Sequence, residues 1–172
     1  MQEKSTFNYR NGNYYIMARL DSGDVMILRI IQENCRLTAR EISDRTGLPV
    51  TTVFAKIKRV EKLGLITGYH ATLKAAEFGA STTAYVFASF AYKGEGKSAS
   101  QRKVAKTIAN FPEVQEVYII SGEWDILIKV KANDVNSIGK FVVDKLRLVK
   151  GIQKTLTCVV FETEKESTTI PL

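Results

Sequence analysis

The sequence predicts an α+β protein with an N-terminal winged helix-turn-helix domain and a C-terminal ferredoxin-like βαββαβ domain. The first observation is that residues 38–69 contain two short amphipathic segments across a glycine turn, followed by a β-branched segment typical of a wing. The second is that strand-like and helix-like patterns follow residue 82 in the order βαββαβ. We place the boundaries at residues 1–19 for an N-terminal extension, 20–74 for the helical domain, 75–81 for a hinge, 82–163 for the βαββαβ domain and 164–172 for a tail.

The N-terminal extension contains Asn11 and Gly12, a strong type I′ turn signal between two β-rich segments. We therefore expect a β-hairpin arm, which either packs on the protein or contacts a partner. Asp21 is the expected N-cap of the first helix, which runs to about Asn34, and Asp24 lies in the first turn, where the helix dipole favours an acid. The buried stripe of this helix is expected to contain Val25, Ile27, Leu28 and Ile31.

The second helix begins with a capping box, because the Thr38 hydroxyl can accept from the amide of Glu41 while Glu41 reaches back. Gly47 marks the sharp turn that follows. A small apolar face is expected from Ala39, Ile42 and Leu48.

The third helix separates into two faces when its residues are placed at about 100° intervals. The core side is expected to hold Val53, Ile57 and Val60, flanked by Phe54 and Leu63. The other side is short-chained, hydroxylated and cationic, and holds Thr51, Ala55, Lys58, Arg59 and Lys62. A helix in a DNA major groove needs such a surface, because cations meet phosphates while small polar groups approach base edges. We therefore predict DNA binding; the alternative is an ordinary solvated basic face.

The remaining elements follow from periodicity and caps. Residues 65–73 are expected to form the β wing, with Thr67 and His70 on its exposed side. Strands are expected at residues 83–92, 114–121, 125–131 and 152–161. One helix should start at Ser98 or Ser100 and reach about Asn110, because Phe111 and Pro112 end it, and another should start at Asn133 or Asp134 and reach about Leu148.

The charge balance favours a polyanionic partner. Lys and Arg number 25 against 18 Asp and Glu, a formal net charge of +7. The local concentration matters more than the total, since residues 56–62 hold Lys56, Lys58, Arg59 and Lys62 against the single acid Glu61.

Composition also excludes several function classes. His70 is the only histidine, and no cysteine or histidine stands at metal-ligand spacing from it, so we expect neither a zinc site nor a Ser-His-Asp triad or Cys-His dyad within one chain. Cys35 and Cys158 lack paired-motif spacing and adjoin apolar segments, so we expect buried free thiols and a reducing cytoplasm. No segment resembles a signal peptide or a membrane span, so no membrane partner is expected.

A series of motifs recurs in a specific order along residues 20–162. In the helical domain these are Leu20, Asp21, Asp24, Ile27, Leu28, Arg36, Leu37, Val53, Ile57, Lys58, Arg59, Glu61, Gly64, Leu65, Ile66, Gly68 and Tyr69. In the second domain they are Phe111, Pro112, Glu113 and Val114, then Gly122 and Asp125. With these motifs the chain resembles the Lrp/AsnC (leucine-responsive regulatory protein, feast/famine) family of transcription regulators.

The resemblance implies homodimers that assemble further through the βαββαβ (RAM) domain, and binding of pseudo-palindromic promoter DNA. It also implies modulation by a small molecule, commonly an amino acid, with no other cofactor. In a dimer, paired sheets would bury Tyr85 and Phe87, which could equally be core against their own helices. Together with the helix pattern, the resemblance gives as DNA-binding residues Thr38, Pro49, Thr51, Thr52, Ala55, Lys56, Lys58, Arg59 and Lys62.

The candidate effector loop consists of Ser121, Gly122, Glu123, Trp124 and Asp125. The glycine would let backbone amides approach a ligand carboxylate, and Glu123 or Asp125 could receive its ammonium group. The alternative is a plain hairpin turn whose geometry an aspartate fixes.

The chain departs from the family pattern at the third helix. Ala55 and Lys56 stand where relatives often carry two basic residues, so a bidentate guanine contact is missing at Ala55. Pro49 stands where relatives usually carry a capping serine. We therefore expect binding that depends mainly on phosphates and strongly on salt.

Two other functions compete with a sequence-specific regulator. One is a less specific, chromatin-like DNA organiser. The other is a decarboxylase of haem precursors with the same two-part architecture, which would want histidines near a tetrapyrrole and a helix without cations. A single histidine and the basic helix argue against this second function, so we do not expect an enzyme.

Overall fold

The structure, a computed structural model, describes residues 20–91 and 100–172. The predicted arm at residues 1–19, Tyr92 at the end of the first predicted strand and the alternative helix start Ser98 lie outside these ranges. The chain divides into two compact units, one of Met1–Ala71 with Ser167–Leu172 and one of Thr72–Glu166. Within the described ranges, none of the helices combines the length and apolarity that a bilayer crossing requires.

The first unit contains three helices, α1 (Ser22–Glu33), α2 (Ala39–Thr46) and α3 (Val50–Lys62). Both predicted N-caps form: Asp21 caps α1, and Thr38 caps α2 in the predicted capping box with Glu41. Asp24, expected only as an acid of the first turn, also accepts from the Asp21 amide and completes a second capping box. Each side chain accepts from an amide that the helix start leaves unpaired. The core lies where the helices meet and consists of Ile27, Ile42 and Val53, with Ile30, Ile31, Leu37, Ala39, Leu48 and Ile57 packed around it.

Two expectations for the first unit are wrong. Residues 65–74 contain no strand and are mostly exposed, because no second strand is available among the described residues to pair with them. Phe54 and Leu63 are exposed by 58% and 48%, since the narrow contact of α3 with α1 and α2 is filled by Val53 and Val60. Phe54 follows Val53 by about 100° around the helix and is therefore turned away from this contact, and Leu63 lies past the last residue of α3.

The second unit has the predicted βαββαβ order. Its elements are β1 (Thr82–Phe90), α4 (Gln101–Ile108), β2 (Val114–Ile119), β3 (Ile126–Ala132), α5 (Val135–Lys140) and β4 (Ile152–Val159). All neighbouring strands are antiparallel, in the spatial order β2-β3-β1-β4. A single helix was expected from Asp134 to about Leu148. The α-helical part instead ends at Lys140, and the chain continues as a π-helical segment (Phe141–Lys145) and a 3-10 turn (Leu146–Leu148).

Both helices of this unit cover the same side of the sheet. Ala84, Val86, Ala88 and Phe90 of β1 point to that side and are buried against Val104, Ile108, Ile138, Phe141, Val142 and Leu146. The alternate residues Tyr85 and Phe87 lie half-buried on the other side, which we call the open face. Strand alternation therefore places these two aromatic residues outside the core of their own unit.

The cysteines and the tail complete the description. Cys35 and Cys158 are free, as expected, but both are exposed, so their expected burial is wrong. Cys158 pairs with Tyr85 in the β1–β4 register, and it therefore belongs to the open face. The tail forms no strand; Glu166 makes ion pairs with Lys129 and Lys131 of β3.

Candidate nucleic-acid interface

Helix α3 is anchored on one side and free on the other. Val53 and Val60 are buried, at 0% and 1% exposure, so they fix the rotation of the helix about its axis. Pro49 occupies the N-cap position with φ −55° and without a side-chain cap. The fixed φ of proline restricts the chain just before the helix, but it supplies no acceptor for the unpaired amides of the first turn.

The exposed side of α3 forms a shallow concavity of about 320 Å³. We call it the α3 concavity. Five of the nine predicted DNA-binding residues line it, namely Thr51, Thr52, Ala55, Lys56 and Arg59. The hydroxyls and the alanine methyl form the part without long side chains, where another surface can approach the helix backbone closely.

The two cations of the α3 concavity are held by acids of α1. Lys56 Nζ lies 2.5 Å from Asp21 Oδ2 and 3.2 Å from Asp24 Oδ1. Arg59 Nη1 donates to Asp24 Oδ2 at 2.8 Å. The Asp24 side chain is completely buried, whereas the Arg59 side chain keeps 43% of its surface exposed. This network ties α3 to the N-terminus of α1 and partly neutralises the concavity.

The proton equilibria of the network follow from these contacts. The hydrogen bond from Lys56 lowers the pKa of Asp21 below its ordinary value, and the backbone amide of Asp24 lowers it further. Reciprocally, the hydrogen bond to Asp21 raises the pKa of Lys56 above the ordinary lysine value. Both groups therefore stay ionised at neutral pH.

A second charged group lies beside the concavity. Lys58 Nζ pairs with Glu61 Oε2 at 3.1 Å and lies 5.9 Å from the centre of the exposed Phe54 ring. The Tyr69 hydroxyl donates to Glu61 Oε1 at 3.0 Å. Burial and this hydrogen bond raise the pKa of Tyr69 to about 12. The Lys58 side chain remains 63% exposed and available to a phosphate.

The other predicted residues do not line the concavity. Thr38 is exposed, but its hydroxyl is engaged in the capping box with Glu41. Lys62 is exposed at the last position of α3. The sequence reasoning missed the ion-pair partners Asp21 and Asp24. Two acids three residues apart at the start of α1, Asp21 and Asp24, match two cations three residues apart in α3. This spacing predicts the ion pairs only if the packing of the two helices is already known.

The candidate effector loop is only partly free. Asp125 Oδ2 accepts from the Phe90 amide at 2.7 Å, and Gln101 Nε2 donates to Asp125 Oδ1 at 3.3 Å. Asp125 therefore joins the loop to β1 and α4, which favours the turn interpretation for this residue. Glu123 is exposed, and the Trp124 ring centre lies 6.2 Å from that of Phe87.

Comparison with known proteins agrees with both units. Residues 20–67 match the family model described as winged helix-turn-helix DNA-binding, and residues 86–170 match the one described as Lrp/AsnC ligand binding domain. An HTH-type transcriptional regulator of Pyrococcus furiosus is 38% identical over 86% of this chain and 96% of its own length. This chain belongs to the Lrp/AsnC family of transcription regulators.

Further relatives of the Lrp/AsnC family extend the comparison. The HTH-type transcriptional regulator FL11 of Pyrococcus horikoshii is 29% identical over 89% of this chain and 97% of its own length. A transcriptional regulator of Neisseria meningitidis, solved as a complex with L-Met, superposes with a TM-score of 0.81 at 29% identity, covering 88% of this chain and 96% of that one. The family confirms the predicted fold class and the predicted function, a DNA-binding transcription regulator.

Proposed function

We propose that the exposed side of α3 binds the major groove of promoter DNA, with the α3 concavity toward the base edges. The observation that carries this proposal is the clustering of Thr51, Thr52, Ala55, Lys56 and Arg59 on one accessible surface. Lys58 and Lys62, which lie outside the concavity, then contact phosphates on its flanks. Phosphate contacts position the helix, while the hydroxyls and the alanine methyl contact bases.

The ion pairs with α1 define how the cations act. Because Asp21 and Asp24 hold Lys56 and Arg59, these side chains reach the DNA already oriented. Because Lys56 and Arg59 are already ordered, binding costs less side-chain conformational entropy. The acids that hold them also weaken their attraction to the phosphates. A single α3 therefore binds weakly, and affinity depends on several recognition helices acting together.

The chain acts as a homo-oligomer whose sheets pack through their open faces. Tyr118 and Leu156 are exposed there by 50% and 46%, beside the half-buried Tyr85 and Phe87. Among the described residues, the ion pairs of Glu166 with Lys129 and Lys131 are the polar contacts that the tail makes on this face. Apolar surface of this kind is typical of an interface between copies. A two-fold dimer then presents two α3 helices to successive major grooves.

The effector is an amino acid that binds at the exposed part of the 121–125 loop. Glu123 carries an exposed carboxylate for the ammonium group, and the open position of Gly122 exposes loop amides for the carboxylate. The related regulator of Neisseria meningitidis was solved with L-Met, which supports an amino-acid ligand. Asp125 positions the loop and does not contact the ligand.

DNA binding is tested by comparing a duplex from the promoter of its own gene with a random duplex of equal length. We expect tighter binding to the promoter duplex, by about a hundredfold or more at physiological salt. Equal affinity for both duplexes would reject the sequence-specific regulator and favour the chromatin-like organiser. Absence of binding to either would reject DNA binding itself.

Effector binding is tested by titrating the twenty amino acids against the fluorescence of Trp124, the only tryptophan. We expect one or a few amino acids to change the emission, and the Glu123→Gln variant to weaken that response without a change in stability. No response to any amino acid, with the oligomer intact, would leave the loop as a plain turn.

A further inference from the structure

The charges of the second unit are distributed unequally between its two layers. Residues 100–113 and 134–150, which include α4 and α5 and which we call the helical layer, contain seven Lys and Arg against three Asp and Glu. The remaining described residues of this unit, 72–91, 114–133 and 151–166, contain five against seven. The helical layer is therefore positive, while the sheet and the tail segment are slightly negative.

The cations of the helical layer are mostly not neutralised within the unit. Lys103, Lys106 and Lys150 are exposed and make no ion pair with any residue in the described ranges. Lys145 is the exception, because it pairs with Glu113. On the sheet, by contrast, Lys129 contacts both Glu116 and Glu166. The positive charge of the helical layer is thus available to an outside partner.

Three lysines of the helical layer also converge, and two of them make no ion pair within the described ranges. Lys103 of α4 and Lys145 and Lys150 beyond α5 line one open groove of about 570 Å³, which brings side chains from two separate elements to one surface. Its one acidic lining residue is Asp144. Lysines that converge in this way create a local positive potential, which scattered surface lysines do not.

We propose that the helical layer is a second DNA-contacting surface, which binds the phosphate backbone of a long duplex outside the segment held by α3. Lysine ammonium groups are compact point charges, which suit phosphate oxygens and carry no base specificity. The partner is duplex DNA because the first unit already brings it to the oligomer. This inference therefore rests on the proposed function, but it concerns a surface that α3 binding does not require.

The test measures affinity as a function of salt for a short promoter duplex of about 20 base pairs and a long one of about 100. The variant carries Lys103→Gln, Lys106→Gln and Lys150→Gln. The matched control carries Lys74→Gln, Lys154→Gln and Lys165→Gln, three exposed lysines of the same unit outside the helical layer. Both lose the same formal charge, so only position differs. Circular dichroism and light scattering establish that each variant keeps the fold and the oligomer.

On the long duplex, the slope of log affinity against log salt should be less steep for the helical-layer variant than for the wild type. The difference should be about 0.9 for each phosphate that the protein no longer neutralises, or about 2–3 for each chain that contacts the DNA. Its affinity for the short duplex should match that of the wild type. Equal effects of the variant and the control, or no effect of the variant, would overturn this inference alone. Failure of the wild-type chain to bind either duplex would overturn the proposed function with it.

Discussion

Arg59 donates a hydrogen bond to the buried carboxylate of Asp24 at 2.8 Å, and this contact joins α3, the helix proposed to bind DNA, to the start of α1. The same carboxylate accepts from Lys56 and from the Asp21 amide, so the cap of α1 and the orientation of α3 depend on one side chain. The residues expected to meet DNA therefore also stabilise the first unit. Substitutions at Lys56 or Arg59 would confound binding with folding.

Replacing Asp24 with Asn should destabilise the first unit. The neutral amide cannot compensate the positive charges of Arg59 and Lys56, so we expect the free energy of unfolding to fall by about 2 kcal/mol. This is less than the loss of a partner from a fully buried ion pair costs, because the Arg59 side chain is half-exposed. Urea unfolding followed by circular dichroism measures it. The control is Glu33→Gln, an exposed acid of the same helix, which should change stability by less than about 0.5 kcal/mol. Equal effects would show that the network contributes nothing.

The stability of the first unit should fall in acid partly through Asp21. Its pKa is lowered in the folded state, so its contribution is present above the ordinary value of 3.8 and is lost as the pH falls through the lowered value. Asp21→Asn keeps an N-capping oxygen but cannot titrate. The variant should therefore lose less stability than the wild type between about pH 6 and about pH 2 in urea unfolding. Identical acid profiles would contradict the Lys56–Asp21 pair.

Two glycines with positive φ should respond differently to alanine. Gly122 has φ +115° and nothing near the position of an added Cβ, so Gly122→Ala should cost only the backbone strain, about 1 kcal/mol. Gly151 has φ +109°, and an added Cβ would lie 2.7 Å from Cε2 of the buried Phe90 ring. Gly151→Ala should therefore cost about 1–3 kcal/mol more, measured by urea unfolding. Equal costs would show that the Phe90 packing yields easily.

An acid on the open face should weaken the oligomer. Leu156 is 46% exposed and pairs with Phe87 in the β1–β4 register, so Leu156→Asp would place an unpaired charge in the interface proposed for the open face. Light scattering should show a shift toward the monomer at micromolar concentration. Val135→Asp, at an exposed apolar position at the start of α5, should leave the mass unchanged. A wild-type mass for Leu156→Asp would place the interface elsewhere.

The elements were predictable because their signals are local. The capping residues Asp21 and Thr38 define helix starts within four residues, and the alternation in β1 defines two strand faces without any knowledge of the rest. The apolar stripe of α3 was likewise readable, although its width was overestimated at Phe54 and Leu63.

What could not be predicted depends on which surfaces meet. The pairing of Asp24 with Arg59 crosses 35 positions of sequence and needs the packing of α1 on α3. Cys158 adjoins apolar residues, but its exposure depends on which side of the sheet the helices cover. The β wing was expected from β-branched residues alone, yet a strand also needs a partner strand, which no local pattern provides.

The central claim is that DNA contacts the α3 concavity, and Ala55→Glu tests it most directly. Ala55 is exposed on α3 and lines the concavity, so the substitution adds a charge there without removing a structural contact. Ala76→Glu, at an exposed position of the Ala75–Phe78 turn, is the control with the same added charge. Fluorescence anisotropy with the promoter duplex should show at least about a hundredfold weaker binding for Ala55→Glu, because a larger, charged side chain would stand between the helix and the base edges, inside the negative potential of the groove. Ala76→Glu should bind like the wild type. Wild-type affinity for a folded, oligomeric Ala55→Glu would contradict the account.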